Sequence, residues 1–197
     1  MTKERRAENS PYITLCDEQL VSLMAEIVLL RRLAMLNEKT ELPNARAFIQ
    51  RYDELQREFV RCGKPDQKIT IIYGDLTKFK VINEEYGDTV GDEVLLAVGQ
   101  KLAEECQLRP GDFVANPHGD SFIILLIADT KKAACTVENR ISRNVHQMRI
   151  SARDKRGNMR TISPSIKLKY VISPVNKNIN DLLRQIDCAH YEDPRSF

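Results

Sequence analysis

Ile69-Thr70-Ile71-Ile72-Tyr73 is a β-branched, largely apolar run that stops at Gly74-Asp75. A short apolar run bounded by turn residues predicts a buried strand. Two further apolar runs, 113–115 and 122–127, flank a segment that carries a proline and a glycine, which predicts a hairpin. These strands form the centre of the predicted fold.

Helical periodicity surrounds the strands, because apolar residues recur at three- and four-residue steps. The order of elements predicts an α/β fold in which helices flank a central, mostly antiparallel sheet. The basic segment 149–160 is expected to be a solvated loop between strands. The predicted helices are 17–37, 45–61, 79–85, one opening at Asp92, 131–148 and one from Ile179, and the last predicted strand is 166–172.

The composition is typical of one soluble domain with a short extension. The chain has 197 residues, 42% hydrophobic and 29% charged, with a formal net charge of +2. That balance gives no electrostatic reason to expect nucleic acid as a partner, and no apolar run suffices for a membrane span. Five scattered cysteines without a CxxC pair favour reduced thiols. We therefore expect a cytoplasmic protein.

Residues 1–37 are predicted to be a polar leader and a helical stalk, and residues 38–197 the main domain. Apolar residues recur at helix spacing from Leu20 to Leu33, after Asp17, a suitable N-cap. Two interpretations remain open for this stripe. It packs onto the domain's own core, or it pairs with a second copy of the chain as a coiled coil, which makes a homodimer.

Two carboxylates are the first indication of chemistry. Asp75 lies where the first strand stops, and Asp120 lies in the hairpin turn. Strand ends and turns of one sheet can lie side by side, so the two could share Mg²⁺, which takes one or two carboxylates plus water and phosphate. The alternative is that each carboxylate accepts hydrogen bonds from its own turn.

Four segments, in chain order, resemble the motifs of GGDEF domains, the diguanylate cyclase family. Residues 40–48, TELPNARAF, resemble the family's LTGLPNRRAF, and residues 75–83, DLTKFKVIN, resemble its DxDxFKxxN. Residues 87–95, GDTVGDEVL, are similar to GHxxGDxVL. His118-Gly119-Asp120-Ser121-Phe122 falls where the GGDEF signature belongs. The resemblance covers residues 37 to about 191.

The resemblance implies a ferredoxin-like palm, as in adenylyl cyclases. Active members join two GTP molecules, held by two facing domains, into cyclic di-GMP, and two metal ions stabilise the developing charge. The motifs place the metal ligands, for Mg²⁺, at the Asp75 carboxylate, the Leu76 carbonyl and the Asp120 carboxylate.

The same motifs imply a nucleotide site. Asn83 and Asp92 match the pair that faces the donors and acceptors of guanine. Phe79 and Lys80 match the family's phosphate-side FK pair. A lysine that meets the triphosphate is absent, because Pro194 occupies its place.

Several positions depart from the family's pattern. His118 replaces the first glycine of the signature, where the family needs close backbone approach to phosphate. Ser121 replaces the signature glutamate, and Thr77 replaces the second aspartate of DxD, so two carboxylates are lost. Glu41 replaces a glycine of the first motif. Catalysis is therefore expected to be impaired.

An RxxD motif, Arg109-Pro110-Gly111-Asp112, precedes the signature. In the family, RxxD at this spacing is the inhibitory site for cyclic di-GMP, and its arginine fork and carboxylate suit guanine. Arg140 is a candidate for a further basic contact. The alternative is an ordinary Pro-Gly β-turn with incidental charges.

The sequence thus predicts a degenerate GGDEF domain that senses a guanine nucleotide and signals to an unidentified protein partner. The ligand is cyclic di-GMP at the RxxD motif or GTP at the remnant active site. Two alternatives remain: an active cyclase that uses Mg²⁺, and an interaction or dimerisation module that binds no nucleotide.

Overall fold

The computed structural model describes residues 17–106 and 111–184. Two compact units divide the chain, Met1–Ala34 and Met35–Phe197. The helices are α1 (Asp17–Leu33), α2 (Ala45–Arg61), α3 (Phe79–Tyr86), α4 (Asp88–Cys106) and α5 (Lys131–Gln147), and residues 179–184 are also helical. The strands are β1 (Lys68–Leu76), β2 (Phe113–His118), β3 (Ser121–Leu126), β4 (Ile150–Arg153), β5 (Met159–Ile162) and β6 (Ile166–Pro174).

The main sheet has the strand order β2-β3-β1-β6, and every neighbouring pair in it is antiparallel. Strand β1 is central, with Asp75 opposite Ser121 on one side and Lys167 on the other. Strands β2 and β3 form the predicted hairpin. The predicted α/β architecture with a mostly antiparallel sheet flanked by helices is confirmed.

Strand β1 is buried because both of its faces carry large apolar side chains. One face contributes Ile69 and Ile71 to a cluster with α2, and the other contributes Ile72 and Leu76 to a cluster with α4 and α5. Alternating residues of a strand point to opposite faces, so one strand supports two cores. The first cluster includes Phe48, Tyr52, Leu55, Ile123, Leu125, Ile179 and Leu182, and the second includes Val94, Leu95, Val98, Phe122, Ile124, Ile141 and Val145.

The helix α1 ends at Leu33 rather than near Asn37 as predicted. Asn37 instead begins a loop, in which its side-chain oxygen accepts hydrogen bonds from the backbone N–H groups of Lys39 and Thr40 at 3.0 and 3.2 Å. A side chain that takes backbone donors in this way competes with helical hydrogen bonding. The loop closes with a β-bridge between Leu36 and Pro43.

The boundary predicted at Asp92 is also wrong, because α4 begins at Asp88. An acidic residue in the first turn suits the positive end of a helix, and Asp88 provides it. Gly91 therefore lies inside the helix. The strand β1 likewise continues beyond Gly74, since Asp75 and Leu76 still pair with β6.

The basic segment 149–160 is not a loop, as expected, but mostly a two-stranded hairpin of β4 and β5. Asp154 holds its turn. Its Oδ1 accepts from the backbone N–H groups of Arg156 and Asn158, both at 2.9 Å. These bonds, the one from Asn158 foremost, lower the pKa of the Asp154 carboxyl.

None of the helices within residues 17–106 and 111–184 combines the length and the apolar character needed to cross a membrane.

Candidate functional site

A chain of hydrogen bonds lies at the end of β1 where the metal ligands were predicted. The Ser121 hydroxyl donates to Oδ1 of Asp75 at 2.6 Å, and the Tyr73 hydroxyl donates to the Ser121 oxygen at 2.9 Å. The three side chains share one face, because Tyr73 and Asp75 are two residues apart and Asp75 pairs with Ser121. Ser121 is buried, so a short hydrogen bond to a carboxylate is strong here.

The position of Ser121 is fixed by the hairpin behind it. Asn116 is fully buried, and its Nδ2 donates to the carbonyl oxygens of Ser121 at 2.6 Å and Gly119 at 3.2 Å. Gly119 has a φ of 48°, a left-handed conformation that suits glycine in a tight turn. His118 lies exposed at the start of this turn, and Phe122 is buried in the core beyond it.

The other two predicted metal ligands meet at the same place. The Leu76 N–H donates to the Asp120 carbonyl oxygen at 3.2 Å, so the end of β1 and the hairpin turn lie side by side. Yet no three His, Cys, Asp or Glu side chains come together anywhere in 17–106 or 111–184 in a group that could hold a metal. One oxygen of Asp75 already accepts the Ser121 hydroxyl. This donor set does not fit a two-metal centre.

Thr77, which stands in place of a second aspartate, serves a structural purpose. Its N–H donates to the carbonyl oxygen of Ser165 at 2.8 Å, and its hydroxyl hydrogen-bonds to the Ser165 hydroxyl. The residue therefore ties the end of β1 to the segment before β6.

Two lysines on β6 were missed by the sequence analysis. Lys167 is the cross-strand partner of Asp75, and Lys169 is that of Tyr73. The side chains of both lysines therefore leave the sheet on the face that carries the Asp75 carboxylate. Positive charge beside a carboxylate weakens its attraction for a cation. The alternation of charged and apolar residues over 166–170 could have located them.

The two residues predicted to face guanine, Asn83 and Asp92, lie on α3 and α4. A Cβ at Gly91 would overlap the side-chain oxygen of Asn83, so the Asn83 amide lies directly against the residue that precedes Asp92. That oxygen is buried and has no hydrogen-bond partner. Glycine at position 91 is therefore what lets the amide approach α4 this closely.

The phosphate-side pair stands on α3. The aromatic side chain of Phe79 packs against the core beneath α4, whereas Lys80 is exposed and its Nζ lies 3.8 Å from Glu84. Lys80 is thus accessible to a ligand at the start of α3, and Phe79 anchors that helix.

Asp92 has an unexpected partner. Lys39 Nζ donates to Oδ1 of Asp92 at 2.8 Å, and the two side chains are 47% and 42% exposed. This hydrogen bond, together with the charge of Asp92, raises the pKa of the Lys39 ammonium. Nothing in the sequence pattern relates residue 39 to residue 92, because the pair is formed only by the fold.

The loop before α2 holds Lys39 in place. The Lys39 N–H donates to the Asn37 side chain, and the neighbouring Thr40 is buried. Thr40 and Leu42 lie so close to Gly99 that a Cβ there would meet the Thr40 Cβ at 3.2 Å. Gly99 is two turns along α4 from Asp92, on the same side of the helix. The loop therefore packs along α4 and presents Lys39 to Asp92.

Comparison with known proteins identifies the family of the chain. The model of the family described as diguanylate cyclase, GGDEF domain, matches residues 34–195. The chain belongs to the GGDEF family.

Curated relatives of the GGDEF family cover most of this chain but are much longer. Diguanylate cyclase DgcP of Escherichia coli K12 is 27% identical over 157 residues, 79% of this chain and 43% of DgcP. The bifunctional diguanylate cyclase/cyclic di-GMP phosphodiesterase MucR of Pseudomonas aeruginosa is 28% identical over 129 residues, 61% of this chain and 18% of MucR. The chain thus spans less than half the length of these relatives.

Solved GGDEF structures share the fold. The coiled coil and GGDEF domain of DgcB from Caulobacter crescentus, in complex with c-di-GMP, matches with a TM-score of 0.75 at 20% identity, over 88% of this chain and 87% of that one. The cyclase SiaD of Pseudomonas aeruginosa, in complex with its activator SiaC, matches at 0.72 and 22% identity, over 91% and 65%. The resemblance to GGDEF domains seen in the sequence is confirmed.

Only the second half of the RxxD motif, Gly111 and Asp112, lies within the described residues. Arg109 lies outside the described residues. Asp112 precedes β2, and its Oδ1 accepts from the N–H of Ile127 at 3.2 Å, across the β2–β3 hairpin. Arg140 is half-buried on α5. Pro194 also lies outside the described part of the chain.

Proposed function

We propose that this GGDEF domain is catalytically impaired and acts as a guanine-nucleotide sensor in cyclic di-GMP signalling. The observation that carries the proposal is the hydrogen bond from Ser121 to Asp75. The family signature has a second acid at position 121. Here that position carries a neutral hydroxyl, which donates to the Asp75 carboxylate.

Loss of turnover follows from the charge balance at the end of β1. A centre that holds two metal ions against a triphosphate needs several carboxylates. Here Asp75 and Asp120 remain, Ser121 and Thr77 are neutral, and Lys167 adds positive charge beside Asp75. Mg²⁺ enters this proposal only as the counterion of the nucleotide's phosphates.

Binding of GTP depends on a different set of residues, and these are retained. Asn83 lies against Gly91, and the next residue, Asp92, lines an open depression of about 460 Å³. Phe79 anchors α3, and Lys80 supplies an accessible ammonium for phosphate. A site can thus keep its base contacts while it loses its catalytic carboxylates.

Cyclic di-GMP is the second candidate ligand. The DgcB structure, which shares this fold, is a complex with c-di-GMP, and Arg109 and Asp112 match the RxxD motif. Arg140 is the candidate for a further contact. An arginine fork and a carboxylate complement guanine's acceptors and donors.

The stalk helix is proposed to make the protein a homodimer. Eight apolar side chains of α1 are between 41% and 67% exposed, and they lie on more than one side of the helix. A helix that is apolar around most of its surface needs partners to cover it. We therefore assign residues 1–37 to a leader and stalk and residues 38–197 to the sensor domain. We also propose that the protein is cytoplasmic. The exposed residues are Leu20, Val21, Leu23, Met24, Ile27, Val28, Leu29 and Leu30.

The output of the sensor is proposed to be a contact with another protein. SiaD, of the same fold, is in complex with its activator SiaC. A domain that binds nucleotide without converting it can act only through what it contacts.

Calorimetric titration tests this function. The full chain is titrated with cyclic di-GMP and with GTP plus Mg²⁺, beside Arg109→Ala and Asp92→Ala. Micromolar GTP binding lost in Asp92→Ala but kept in Arg109→Ala supports the remnant active site, and the reverse pattern with cyclic di-GMP supports the RxxD site. No heat with either ligand would leave an interaction module and overturn the sensor.

A further inference from the structure

Lys39 lies beside the predicted guanine-facing carboxylate, where it changes the chemistry offered to a base. Its Nζ is 2.8 Å from Oδ1 of Asp92, at the rim of the open depression of about 460 Å³. That volume is within the range of small-ligand sites, about 300–1,000 Å³. The depression is lined by Glu38, Lys39, Thr89, Asp92, Glu93 and Leu96.

The pairing differs from exposed ion pairs that form within single helices of the domain. Lys80–Glu84 and Lys101–Glu104 join neighbouring turns of one helix. Lys39 and Asp92 are 53 residues apart and are brought together by the loop that packs along α4. An exposed ion pair adds little to stability. The Lys39–Asp92 pair at the edge of the depression is therefore a candidate for ligand binding rather than for stabilisation of the fold.

The Watson–Crick edge of guanine presents an acceptor, O6, followed by two donors, N1–H and N2–H. A carboxylate accepts from the two donors, and an ammonium group donates to O6. Asp92 and Lys39 offer these two groups side by side. We propose that Lys39 reads guanine O6 while Asp92 accepts from N1–H and N2–H, which makes Lys39 a specificity-determining residue.

This inference rests on the proposed GTP site and adds the source of its base preference. Adenine carries an amino group in place of O6, so an ammonium group there faces another donor. A contact between two donors disfavours the ligand that carries the second donor. Lys39 therefore favours GTP over ATP, beyond what Asp92 alone provides.

Isothermal titration of the full chain with GTP and with ATP, each with Mg²⁺, tests the inference. Lys39→Met keeps an unbranched apolar side chain as far as Cε and removes the ammonium donor. It is expected to weaken GTP binding about tenfold, the scale of one hydrogen bond to a charged group, and to leave ATP binding unchanged or tighter. Lys39→Arg, which keeps a cationic donor, stays within about threefold of the unmodified chain for GTP. Lys64→Met, an exposed lysine elsewhere, changes neither affinity.

The outcomes separate this inference from the function on which it rests. If the unmodified chain binds GTP and Lys39→Met binds it equally or more tightly, Lys39 does not read O6 and the inference is wrong, while the sensor stands. If the unmodified chain binds no guanine nucleotide, the proposed function fails and the role of Lys39 fails with it. A fall in GTP affinity matched by an equal fall in ATP affinity would also contradict the role.

Discussion

The hydroxyl of Ser121 donates to Oδ1 of Asp75 at 2.6 Å, and the two residues are direct cross-strand partners in β3 and β1. At this position the GGDEF signature carries a glutamate, whose charge would repel Asp75 unless a cation lay between them. Serine removes that requirement. The strand pair is thus satisfied without a metal, so the proposed loss of turnover is compatible with retention of the fold.

Replacement of Ser121 by alanine should destabilise the domain. The change removes a donor to a carboxylate and an acceptor for the Tyr73 hydroxyl, in a buried place. We expect a loss of about 2 kcal/mol in the free energy of unfolding, or roughly 4–8 °C in Tm. Urea denaturation measures it. Ser151→Ala, at an exposed position on β4, is the matched control and should change stability by less than about 0.5 kcal/mol.

Glu41→Gly should stabilise the domain. Glu41 has a φ of 58°, in the left-handed region, where the family's first motif carries glycine. Relief of about 1–2 kcal/mol of backbone strain exceeds the cost of glycine's extra freedom in the unfolded chain. We expect a gain of about 0.5–1 kcal/mol by urea denaturation.

The control for that substitution is Glu38→Gly in the same loop. Glu38 is not among the described non-glycine residues with positive φ, so its replacement should lower stability. Equal changes in the free energy of unfolding for Glu41→Gly and Glu38→Gly would contradict backbone strain at Glu41.

Gly91→Ala should be destabilising although alanine is the better helix former. The new Cβ overlaps the Asn83 amide oxygen, and overpacking costs about 1–3 kcal/mol. The double variant Asn83→Ala, Gly91→Ala should recover most of that loss, because the amide is gone. A thermodynamic cycle of the four proteins measures the coupling. Strictly additive changes in the free energy of unfolding would show that a Cβ at position 91 does not clash with the Asn83 amide.

Asp154→Asn should weaken the β4–β5 hairpin in a pH-dependent way. Hydrogen bonds to the carboxylate, that from the Asn158 N–H foremost, lower the pKa of the Asp154 carboxyl below its ordinary value. A lowered pKa in the folded state contributes stability above the unfolded pKa, and this is lost as pH falls through the folded value. The stability gap between the chain and the variant should therefore be full at pH 7 and close below pH 3.8. Asp53→Asn, at an exposed position on α2, is the control, and a gap independent of pH would contradict the charge-assisted turn.

Much of the fold was predictable because local patterns specify it. The helix 45–61 was predicted with the bounds it has, since Asn44 caps it and its apolar residues follow one face. The hairpin around Asp120 was predicted from its turn residues. The start of α4 was not, because Gly91 is normally a helix breaker and only its packing against Asn83 accounts for it.

Only the part of the candidate site that belongs to the family motifs was predictable from the sequence. Asp75, Asp120, Asn83 and Asp92 are named by the family's pattern. The fold places the end of β1 beside the hairpin turn, and it places Asn83 against Gly91, the residue before Asp92. Lys39 lies beside Asp92 through the loop that packs on α4, and Lys167 lies beside Asp75 through strand register. Such pairings depend on tertiary structure, so a local pattern can locate a lysine on a strand but cannot give its partner.

The fate of bound GTP distinguishes a nucleotide sensor from an active cyclase. The full chain is incubated with radiolabelled GTP and Mg²⁺, the complex is isolated, and the nucleotide is separated chromatographically. We predict that GTP is recovered intact, bound at micromolar concentration, and that binding is lost in Asp92→Ala. Steady formation of cyclic di-GMP that Asp75→Ala abolishes would contradict the account and make the protein an active cyclase.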